Sequence, residues 1–409
     1  MMRREESQRR TIDIKDLSFE RGAHLLIKRE LNALPVGSSL AIRGSDPTLS
    51  VHLRAWCRAQ GHDLSLNGDS GAAGVVAWIT RGSASSGRWR DAQSTGRPDP
   101  KADAAVLNRP QPTWGLAARG ARVESGGPEF SFALSDKEEV WADNVPKLYA
   151  QAAAAQWDPA SAIDWDAEFE LPVEVEQAVV QVMTYLIENE NAALLVPARF
   201  LSQIHPHFRE VMQLLAIQIA DEARHVEVFT RRATLRGTEL GLSTVSGQQS
   251  LKTLLDEPDF SLASFLLSVL GEGTFLNLLW FLEKHAPDPV TRQVARLTAR
   301  DEGRHVAFGL SHLQYQLALD PLLRSRLSLA MNRRHDTLAS TAGLNEEVFD
   351  ALVILAAGEW TPEAIAEGYA KVQELQEEMH SDRTARLVKL GFPAEEASKL
   401  SALHTRNFM

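Results

Sequence analysis

Hydrophobic residues follow two different periods along this chain, and the change comes near residue 136. Up to about Arg81 the pattern changes quickly, with short runs such as TIDI, SLAIRG and GVVAWIT separated by GAHLLIKRELNAL and TLSVHLRAWCRAQ. Apolar runs bounded by turn residues predict strands, whereas apolar residues at three- and four-residue spacing predict helices. Residues 1–82 are therefore predicted to form a small α/β domain with the order β-α-β-α-β-β.

The following stretch, residues 83–135, is rich in Gly, Ser, Arg and Pro. Such a segment has little apolar surface to bury, so we predict a linker that is partly disordered. From 136 to 409 the strand signal disappears and helical spacing dominates, which predicts an all-helical domain. The predicted helices cover 136–155, 172–200, 206–236, 258–285, 287–317, 321–340, 345–357 and 362–380, with a short helix before the last six residues.

Composition narrows the class of protein. The formal charge of -11, from 43 Lys+Arg against 54 Asp+Glu, leaves no basic field for a phosphate backbone, so nucleic acid is not an expected partner. The single cysteine, Cys57, excludes an internal disulfide, a thiolate zinc site and a cysteine-ligated iron–sulfur cluster. The charged first ten residues indicate no signal peptide, and polar residues interrupt the most apolar stretch. We expect a cytoplasmic protein with no membrane span.

One short pattern occurs twice in the helical part. Asp221-Glu222-Ala223-Arg224-His225 and Asp301-Glu302-Gly303-Arg304-His305 both have the form D-E-x-R-H. In a helix, a glutamate and the histidine three residues later lie one turn apart on the same face. Each pair can therefore direct a carboxylate and an imidazole at one metal ion.

A glutamate on the apolar stripe of the preceding helix accompanies each motif. These are Glu190, before the first motif, and Glu272, before the second. Glu188 competes with Glu190, but Glu188 falls outside the apolar stripe, so Glu190 is favoured. The alternative interpretation is that these glutamates are partly exposed or paired with Arg224 and Arg304. The complete pattern, E…ExxH…E…ExxH on four helices, is that of a di-metal carboxylate bundle.

The donor set predicts the metal. Four carboxylates and two imidazoles suit iron or manganese better than Cu(I) or structural zinc. We expect two Fe ions, with Mn/Fe as the alternative, and O2 as co-substrate. Asp221 and Asp301 are expected to accept imidazole N–H bonds behind the ligands, or else to be solvated helix carboxylates.

Other polar and aromatic residues near the motifs have simpler interpretations. His205 and His207 flank a proline and are predicted in the turn between two helices. Phe265, Phe275 and Trp280 either line a substrate pocket or belong to the core.

The doubled motif with its upstream glutamates resembles the ferritin-like di-iron superfamily, and most closely the bacterial oxygenases related to p-aminobenzoate N-oxygenase. The segment LYAQAAAAQWDPASAIDW resembles the helix that leads into the bundle in such oxygenases and in ribonucleotide reductase small subunits. The resemblance covers roughly 136–317. It implies a four-helix bundle with Glu190, Glu222, His225, Glu272, Glu302 and His305 as metal ligands and catalytic residues. The N-oxygenases have a further histidine ligand where this chain has Thr298, so a six-ligand site is expected.

The segment IDIKDLSFERGAHLLIKRELNALPVGSSLAIRGSDPTLSVHLRAWCRAQGHDL has a strand, a helix and a D-P turn in sequence. In this pattern the first domain resembles the TusA/SirA sulfur-carrier family. That family requires a Cys-Pro pair at the start of its first helix, where the helix dipole activates a thiolate. This chain has Phe19-Glu20 there, and Cys57 falls among apolar residues of the second helix. Sulfur transfer is therefore not expected, and docking, dimer formation or substrate delivery is the expected role.

The sequence thus predicts an α+β protein in which a degenerate TusA-like module precedes a ferritin-like bundle. The expected activity is O2-dependent oxidation of a small organic substrate by hydroxylation, N-oxygenation or desaturation, with an external electron donor and a homodimeric assembly. The first alternative is a metal-binding or peroxide-scavenging protein without an organic substrate. The second is a structural bundle whose N-terminal module binds a protein partner.

Overall fold

A computed structural model describes residues 10–66, 75–84, 88–339 and 346–403. The chain divides into two units, which we treat separately. The sheet unit comprises Met1–Thr95 and Gly120–Glu129, and the helical unit comprises Gly96–Arg119 and Phe130–Met409. Residues 96–119, within the predicted linker, thus group with the helices.

The sheet unit has the predicted order of elements. Its bounds are β1 Arg10–Asp13, α1 Ala23–Asn32, β2 Ser39–Gly44, α2 Leu49–Gln60, β3 Asp63–Leu66 and β4 Val75–Thr80, followed by the short strands β5 Gln93–Ser94 and β6 Arg122–Val123. The four-stranded sheet has the order β1-β2-β4-β3, with β1 and β2 parallel and the other neighbours antiparallel. Cys57 lies in the core of this unit, and burial raises the pKa of its thiol to about 11. A thiol of that pKa is a poor nucleophile at neutral pH.

The helical unit contains the long helices that the 3.6-residue period predicts. Their bounds are α3 Lys137–Val140, α4 Val145–Ala154, α5 Val173–Leu201, α6 Arg209–Ala233, α7 Val245–Leu255, α8 Phe260–Ser264, α9 Gly273–His285, α10 Pro289–Leu319, α11 Leu323–Ala339, α12 Glu346–Ala357, α13 Pro362–Lys389 and α14 Ala394–Ser401. The two longest are α5 and α10.

Some boundaries differ from those predicted. Residues 136–155 form two helices because Trp141 takes an extended conformation at the end of α3. A capping box between Asp136 and Glu139 starts that helix, and Pro146 lies in the first turn of the next. Helix α7 was not predicted, and α13 continues to Lys389, beyond the predicted end at 380. The six residues after the predicted last helix lie outside the described part of the chain.

Helices α5 and α6 form an antiparallel pair joined by a short turn, and α9 packs against α10. A buried arginine fastens one end of this arrangement. Arg232, near the end of α6, pairs with Glu176 near the start of α5 at 2.7 Å and with Asp288, which caps α10, at 2.9 Å. The Asp288 side chain also accepts from the backbone N–H of Thr291 at 2.8 Å. Three of the helices that carry the predicted ligands are thereby held at one end.

The fourth ligand-bearing segment is not a regular helix. Between α8 and α9, Phe265–Glu272 forms a π-helix, and Glu272 is its last residue. Short π-helical stretches within α-helices frequently occur at functional sites. The whole stretch Phe260–His285 is long and apolar enough to cross a membrane, but 78% of its most apolar window is buried within the protein, as in a core helix.

Candidate metal centre

The structure brings all six predicted ligand residues together. Helix α5 contributes Glu190, α6 contributes Glu222 and His225, the π-helix contributes Glu272, and α10 contributes Glu302 and His305. All six side chains are between 0 and 4% exposed. Buried carboxylates on different helices are costly unless a partner neutralises them. Their convergence therefore indicates a common partner.

The six residues form two overlapping groups of four, each with ligand atoms within 4.8 Å of one another. The first group contains Glu190, Glu222, His225 and Glu302, and the second contains Glu222, Glu272, Glu302 and His305. Glu222 and Glu302 belong to both groups. Two cations held by these groups would share Glu222 and Glu302 as ligands.

Both imidazoles direct the same nitrogen at the centre. His225 Nδ1 lies 3.1 Å from Glu222 Oε2, 3.5 Å from Glu190 Oε2 and 3.3 Å from Glu302 Oε1. His305 Nδ1 lies 3.1 Å from Glu222 Oε1 and 3.3 Å from Glu302 Oε2. The two halves of the cluster therefore match each other in arrangement.

The outer nitrogen of each histidine meets the aspartate of the other motif. His225 Nε2 lies 3.2 Å from Asp301 Oδ2, and His305 Nε2 lies 3.3 Å from Asp221 Oδ2. A carboxylate can only accept here, so each Nε2 donates and Nδ1 is left to face the centre. The predicted imidazole–aspartate contacts thus join the two motifs instead of staying within each one.

The aspartates are also anchored by groups from outside the motifs. Asp301 accepts from the indole N–H of Trp157 at 2.7 Å and from Arg224 at 2.8 Å, while Asp221 accepts from Gln156 at 2.9 Å. The Arg224 guanidinium lies 4.6 Å from the centroid of the Trp157 ring. Arg224 and Arg304 pair with the aspartates. The alternative in which these arginines pair with the glutamates is therefore not what the structure shows.

The charges of the cluster shift its protonation strongly. Burial raises the pKa of Glu190 well above its ordinary value, and the Glu222 and Glu302 carboxylates raise it further. Burial also raises the pKa of Glu272, with the Glu302 carboxylate adding to it. Burial alone would raise the pKa of Glu222 too, but the nearby His305 and His225 hold it well below its ordinary range. Without metal, the cluster therefore keeps protons that cation binding must displace.

The pKa of each histidine is also raised, but by neighbouring carboxylates and not by burial. Burial alone would lower it, but the carboxylates around the two rings outweigh burial and bring both values well above that of free imidazole. For His225 the main opposing charge is Glu190, and for His305 it is Glu222. In the metal-free state these imidazolium ions offset part of the negative charge of the glutamates.

The donor atoms fit a pair of metal ions. Among the described residues, five buried atoms of the cluster make no hydrogen bond to a group outside it: Glu222 Oε1, Glu272 Oε2, both carboxylate oxygens of Glu302, and His305 Nδ1. Within the cluster, His305 Nδ1 and Glu222 Oε1 lie 3.1 Å apart. The oxygen and imidazole chemistry of these atoms suits iron or manganese. They are thus the atoms that would coordinate the metal.

At the position where the N-oxygenases have an additional histidine, this chain has Thr298. Thr298 is fully buried, and its hydroxyl has no hydrogen-bond partner among the described residues. In the other half, Gln218 donates from Nε2 to Glu272 Oε1 at 3.0 Å. Gln218 therefore orients a cluster carboxylate, a contact that sequence reasoning missed because it spans two helices.

A narrow cavity opens beside the cluster. Its empty space, including its opening to solvent, is about 330 Å³. Besides cluster glutamates it is lined mainly by apolar side chains from four elements: Ala193, Leu254, Leu267 and Phe275, with Asn189. We call it the metal-side cavity. Of the three aromatic residues proposed for a pocket, Phe275 lines this cavity, whereas Phe265 is buried in the core and Trp280 is 43% exposed.

Three other residues considered from the sequence lie elsewhere. Glu188 is half-buried and outside both four-residue groups. His205 and His207 lie in the predicted turn, where His207 Nε2 accepts from the backbone N–H of Leu107 at 2.8 Å. Burial lowers the pKa of His207 to about 4, so the ring is a neutral hydrogen-bond acceptor. This hydrogen bond connects Leu107, in the predicted linker, to the turn before α6.

No known family model matches the chain, and no curated protein matches it. Solved structures of R2-like ligand-binding oxidases are similar in part. A variant with an aerobically reconstituted Mn/Fe cofactor and another with an Fe/Fe cofactor each share 20% sequence identity with this chain, at a TM-score of 0.46. Each match covers 61% of this chain and 94% of the other. Those neighbours hold Mn/Fe or Fe/Fe, and this chain contains a buried cluster able to hold metal.

Proposed function

We propose that this protein is a non-haem di-metal oxidase of the ferritin-like class that uses O2 to oxidise a small organic substrate. The observation that carries the proposal is the pair of overlapping groups, in which Glu222 and Glu302 are shared and all six residues are buried. The proposed ligands are Glu190, Glu222, His225, Glu272, Glu302 and His305. Two irons are the proposed occupants, with Mn/Fe as the alternative.

The protein's own residues would prepare the reaction. Asp301 and Asp221 accept the Nε2–H bonds of the histidines and so keep each Nδ1 directed at the centre. Leu254, Leu267 and Phe275 give the metal-side cavity an apolar wall, which would disfavour water beside the cluster. When bound, two redox-active ions would supply electrons to O2. Insertion of one oxygen atom with reduction of the other to water requires two electrons and two protons besides the two electrons that the substrate gives up. An external donor would have to return those two electrons to the ions after each turnover, so it belongs to the proposal.

A second candidate is favoured by the size of the metal-side cavity. Its room for water-sized molecules is only about 20 Å³, far below the range of about 300–1,000 Å³ for small-molecule sites. A site that reduces O2 or peroxide without an organic substrate needs no more room. We propose this activity as the alternative.

The first test is iron content per chain after anaerobic loading, followed by optical and Mössbauer spectra before and after exposure to O2. We expect about two irons per chain that oxidise together to a coupled diferric state. The Glu222→Ala variant should hold almost no iron, because Glu222 belongs to both groups. A single ion that is indifferent to this substitution, or no retained metal, would contradict the proposal. Product analysis with candidate substrates separates the oxidase from the alternative.

Cytoplasmic location, a homodimer, and the kinship of the sheet unit with TusA-like carriers remain parts of the proposal that need their own tests. In this proposal the sheet unit serves docking or delivery, since Cys57 is buried and Phe19-Glu20 replaces the Cys-Pro pair. The proposed relation to p-aminobenzoate N-oxygenases concerns the bundle only. The presence of Thr298 instead of a histidine makes hydroxylation and desaturation as open as N-oxygenation.

A further inference from the structure

The π-helix changes into the regular helix α9 directly after Glu272, and side chains support this junction. Hydrogen bonds run five residues back in a π-helix and four residues back in an α-helix, so the change of spacing skips one backbone carbonyl. A buried carbonyl without a backbone partner needs another donor. Two side chains donate here: Arg386 Nε to the Val269 carbonyl oxygen at 2.9 Å, and Thr274 Oγ1 to that of Leu270 at 2.7 Å. Helix α13 therefore helps to hold the end of the π-helix.

Arg386 extends from α13 and is buried without a carboxylate partner. The residue is 8% exposed, and no described acidic side chain forms an ion pair with it. Burial lowers its pKa to about 10, although the charge of Asp382 opposes this. A buried cation without an ionic partner is costly for stability. Its contact with the π-helix, and not ion pairing, accounts for its position.

Gly273 leaves the space that the Arg386 guanidinium occupies. A Cβ atom at this position would lie 2.6 Å from Arg386 Nε and 2.7 Å from Cζ. These separations are well below the roughly 3.5–4.0 Å at which non-bonded atoms pack best. Any larger residue at position 273 would therefore displace the guanidinium from the Val269 carbonyl. Because Gly273 follows Glu272 directly, this close contact lies beside a proposed metal ligand.

Two other helices restrict the same segment. Gly309 of α10 packs so closely that a Cβ atom there would lie 2.6 Å from the Cβ atom of Ser268 in the π-helix. Gln218 of α6 donates from Nε2 to Glu272 Oε1 at 3.0 Å. Of the six proposed ligands, Glu272 is the one that the π-helix carries. Its position therefore depends on contacts made outside the cluster.

We propose that Arg386 is a positioning residue for the metal centre, which holds the end of the π-helix against Gly273 so that the Glu272 carboxylate reaches the second four-residue group. This inference rests on the proposed metal binding and adds to it a residue outside both groups. The first group contains no residue of the π-helix. Loss of the arginine contact should therefore weaken the ion of the second group and leave that of the first group in place.

The test measures iron affinity of the full chain by competition with a chelator under anaerobic conditions. Arg386→Met removes the donor and keeps an unbranched side chain, whereas Gly273→Ala keeps the arginine and displaces its guanidinium. A guanidinium is the end of a flexible side chain, so Gly273→Ala should cost the fold little. Each variant should bind the second iron about 10- to 100-fold more weakly than wild type, as expected for contacts that orient metal ligands.

Each variant has a matched control. Lys389→Met removes a cation from the same helix α13, where Lys389 is exposed. Gly303→Ala repeats the glycine substitution directly after another ligand, because Gly303 follows Glu302 as Gly273 follows Glu272. A Cβ atom at Gly303 would meet nothing within 4 Å. Both controls should bind two irons with the affinity of wild type.

The Glu272→Ala background separates positioning from general support of the fold. If Arg386 acts through Glu272, adding Arg386→Met to Glu272→Ala should not weaken the remaining iron further. Further weakening in this background, or equal weakening of both irons in Arg386→Met alone, would show a general structural role and overturn the proposal. If one of the two single variants fails to fold by circular dichroism, the other decides the question.

Hydrogen exchange of chelator-treated protein tests the contact apart from metal. Peptides that cover residues 265–274 should exchange faster in Arg386→Met and Gly273→Ala than in their controls. Wild type that retains two irons, with unchanged affinity and exchange in both variants, would overturn this inference alone. Wild type that retains no iron would overturn the proposed function, and with it the metal-positioning role, even if the exchange result confirmed the contact.

Discussion

At the scale of single residues, each carboxylate or imidazolium of the cluster would be costly to bury alone. Together, their opposite charges partly offset that cost. Glu222 is completely buried, yet the two histidines hold its pKa well below the ordinary value, whereas burial holds the pKa of Glu190 well above it. Two carboxylic acids in one site are therefore in different protonation states before metal binds. This difference follows from which neighbours each oxygen meets, since the residue type is the same.

The sharing of Glu222 and Glu302 predicts an asymmetry among the ligand variants. Glu190 and Glu272 each belong to one group only. Glu190→Ala and Glu272→Ala should therefore each retain about one iron per chain, where Glu222→Ala and Glu302→Ala retain almost none. The measurement is iron content by mass spectrometry after anaerobic loading and desalting. Glu188→Ala is the control, because Glu188 lies on α5 like Glu190 but outside both groups. It should retain two irons per chain. Equal losses of iron in all four ligand variants would refute the sharing of Glu222 and Glu302.

Asp301 offers a second test at this scale. Its carboxylate accepts from His225 Nε2, Trp157 and Arg224, and hydrogen bonds and charges from these groups outweigh burial to lower its pKa. Asp301→Asn keeps the shape but removes the charge that orients the imidazole. We expect metal affinity to fall about 10- to 100-fold, measured by competition with a chromophoric chelator. Asp221→Asn should behave alike, while Asp320→Asn at the exposed end of α10 should not change affinity.

At the scale of elements, buried polar contacts hold the helices at defined positions. His312 of α10 is fully buried, with Nδ1 donating to the carbonyl oxygen of Trp141 at 3.0 Å and Nε2 3.1 Å from Ser261 Oγ. The ring thus joins α10 to the segment after α3 and to α8. When the ring is neutral and Nδ1 donates, Nε2 accepts from the Ser261 hydroxyl.

The neutral state of His312 makes stability depend on pH. Burial lowers its pKa to about 4 in the folded protein, whereas unfolded histidine titrates near 6.5. Between these values the unfolded chain binds more protons, so stability falls as the pH falls through that window. From pH 7 to pH 5 the loss attributable to this residue should be about 2 kcal/mol.

The check is urea unfolding of wild type and His312→Asn at several pH values, with chelator present throughout. The asparagine amide can donate to Trp141 but does not titrate in this range. The stability advantage of wild type over the variant should therefore shrink by about 2 kcal/mol between pH 7 and pH 5. A difference that stays constant with pH would show that His312 does not remain neutral in the folded state.

At the scale of the whole molecule, the predicted chemistry is confined to one of the two units. All atoms of the cluster and of the metal-side cavity come from the helical unit. Parts of the predicted linker belong to the same unit: Arg119 pairs with the buried Glu210 of α6, and Leu107 donates to His207. Metal binding should therefore stabilise the helical unit selectively.

Metal removal tests this selectivity. A ligand at a thousandfold excess over its Kd stabilises the folded state by about 4 kcal/mol. Hydrogen exchange of iron-loaded protein should accordingly be slower than that of chelator-treated protein in peptides from α5, α6, the π-helix and α10. Peptides from β1 to β4 should exchange at the same rate in both samples. Glu222→Ala should abolish the difference, and slowing of both units to the same extent would contradict the confinement.

Local geometry in this protein follows from the order of its amino acids. Helical period and the doubled D-E-x-R-H motif were enough to predict the ligand-bearing helices and to put Glu222 with His225, and Glu302 with His305, on common faces, because a helix places residues three apart within one turn. The apolar stripe was also enough to prefer Glu190 over Glu188, since a stripe marks the side that packs inward. The order of strands and helices in the first 80 residues followed from the same kind of periodicity.

The way these local pieces meet depends on the packing of the whole chain. The exchanged imidazole–aspartate contacts join residues 76 and 84 positions apart, and the sharing of Glu222 and Glu302 needs four segments at one point. No periodicity encodes such contacts, because they depend on how the helices and the π-helix that ends at Glu272 pack together. Burial, and with it every pKa shift in the cluster, is likewise a property of the packed molecule and not of any segment.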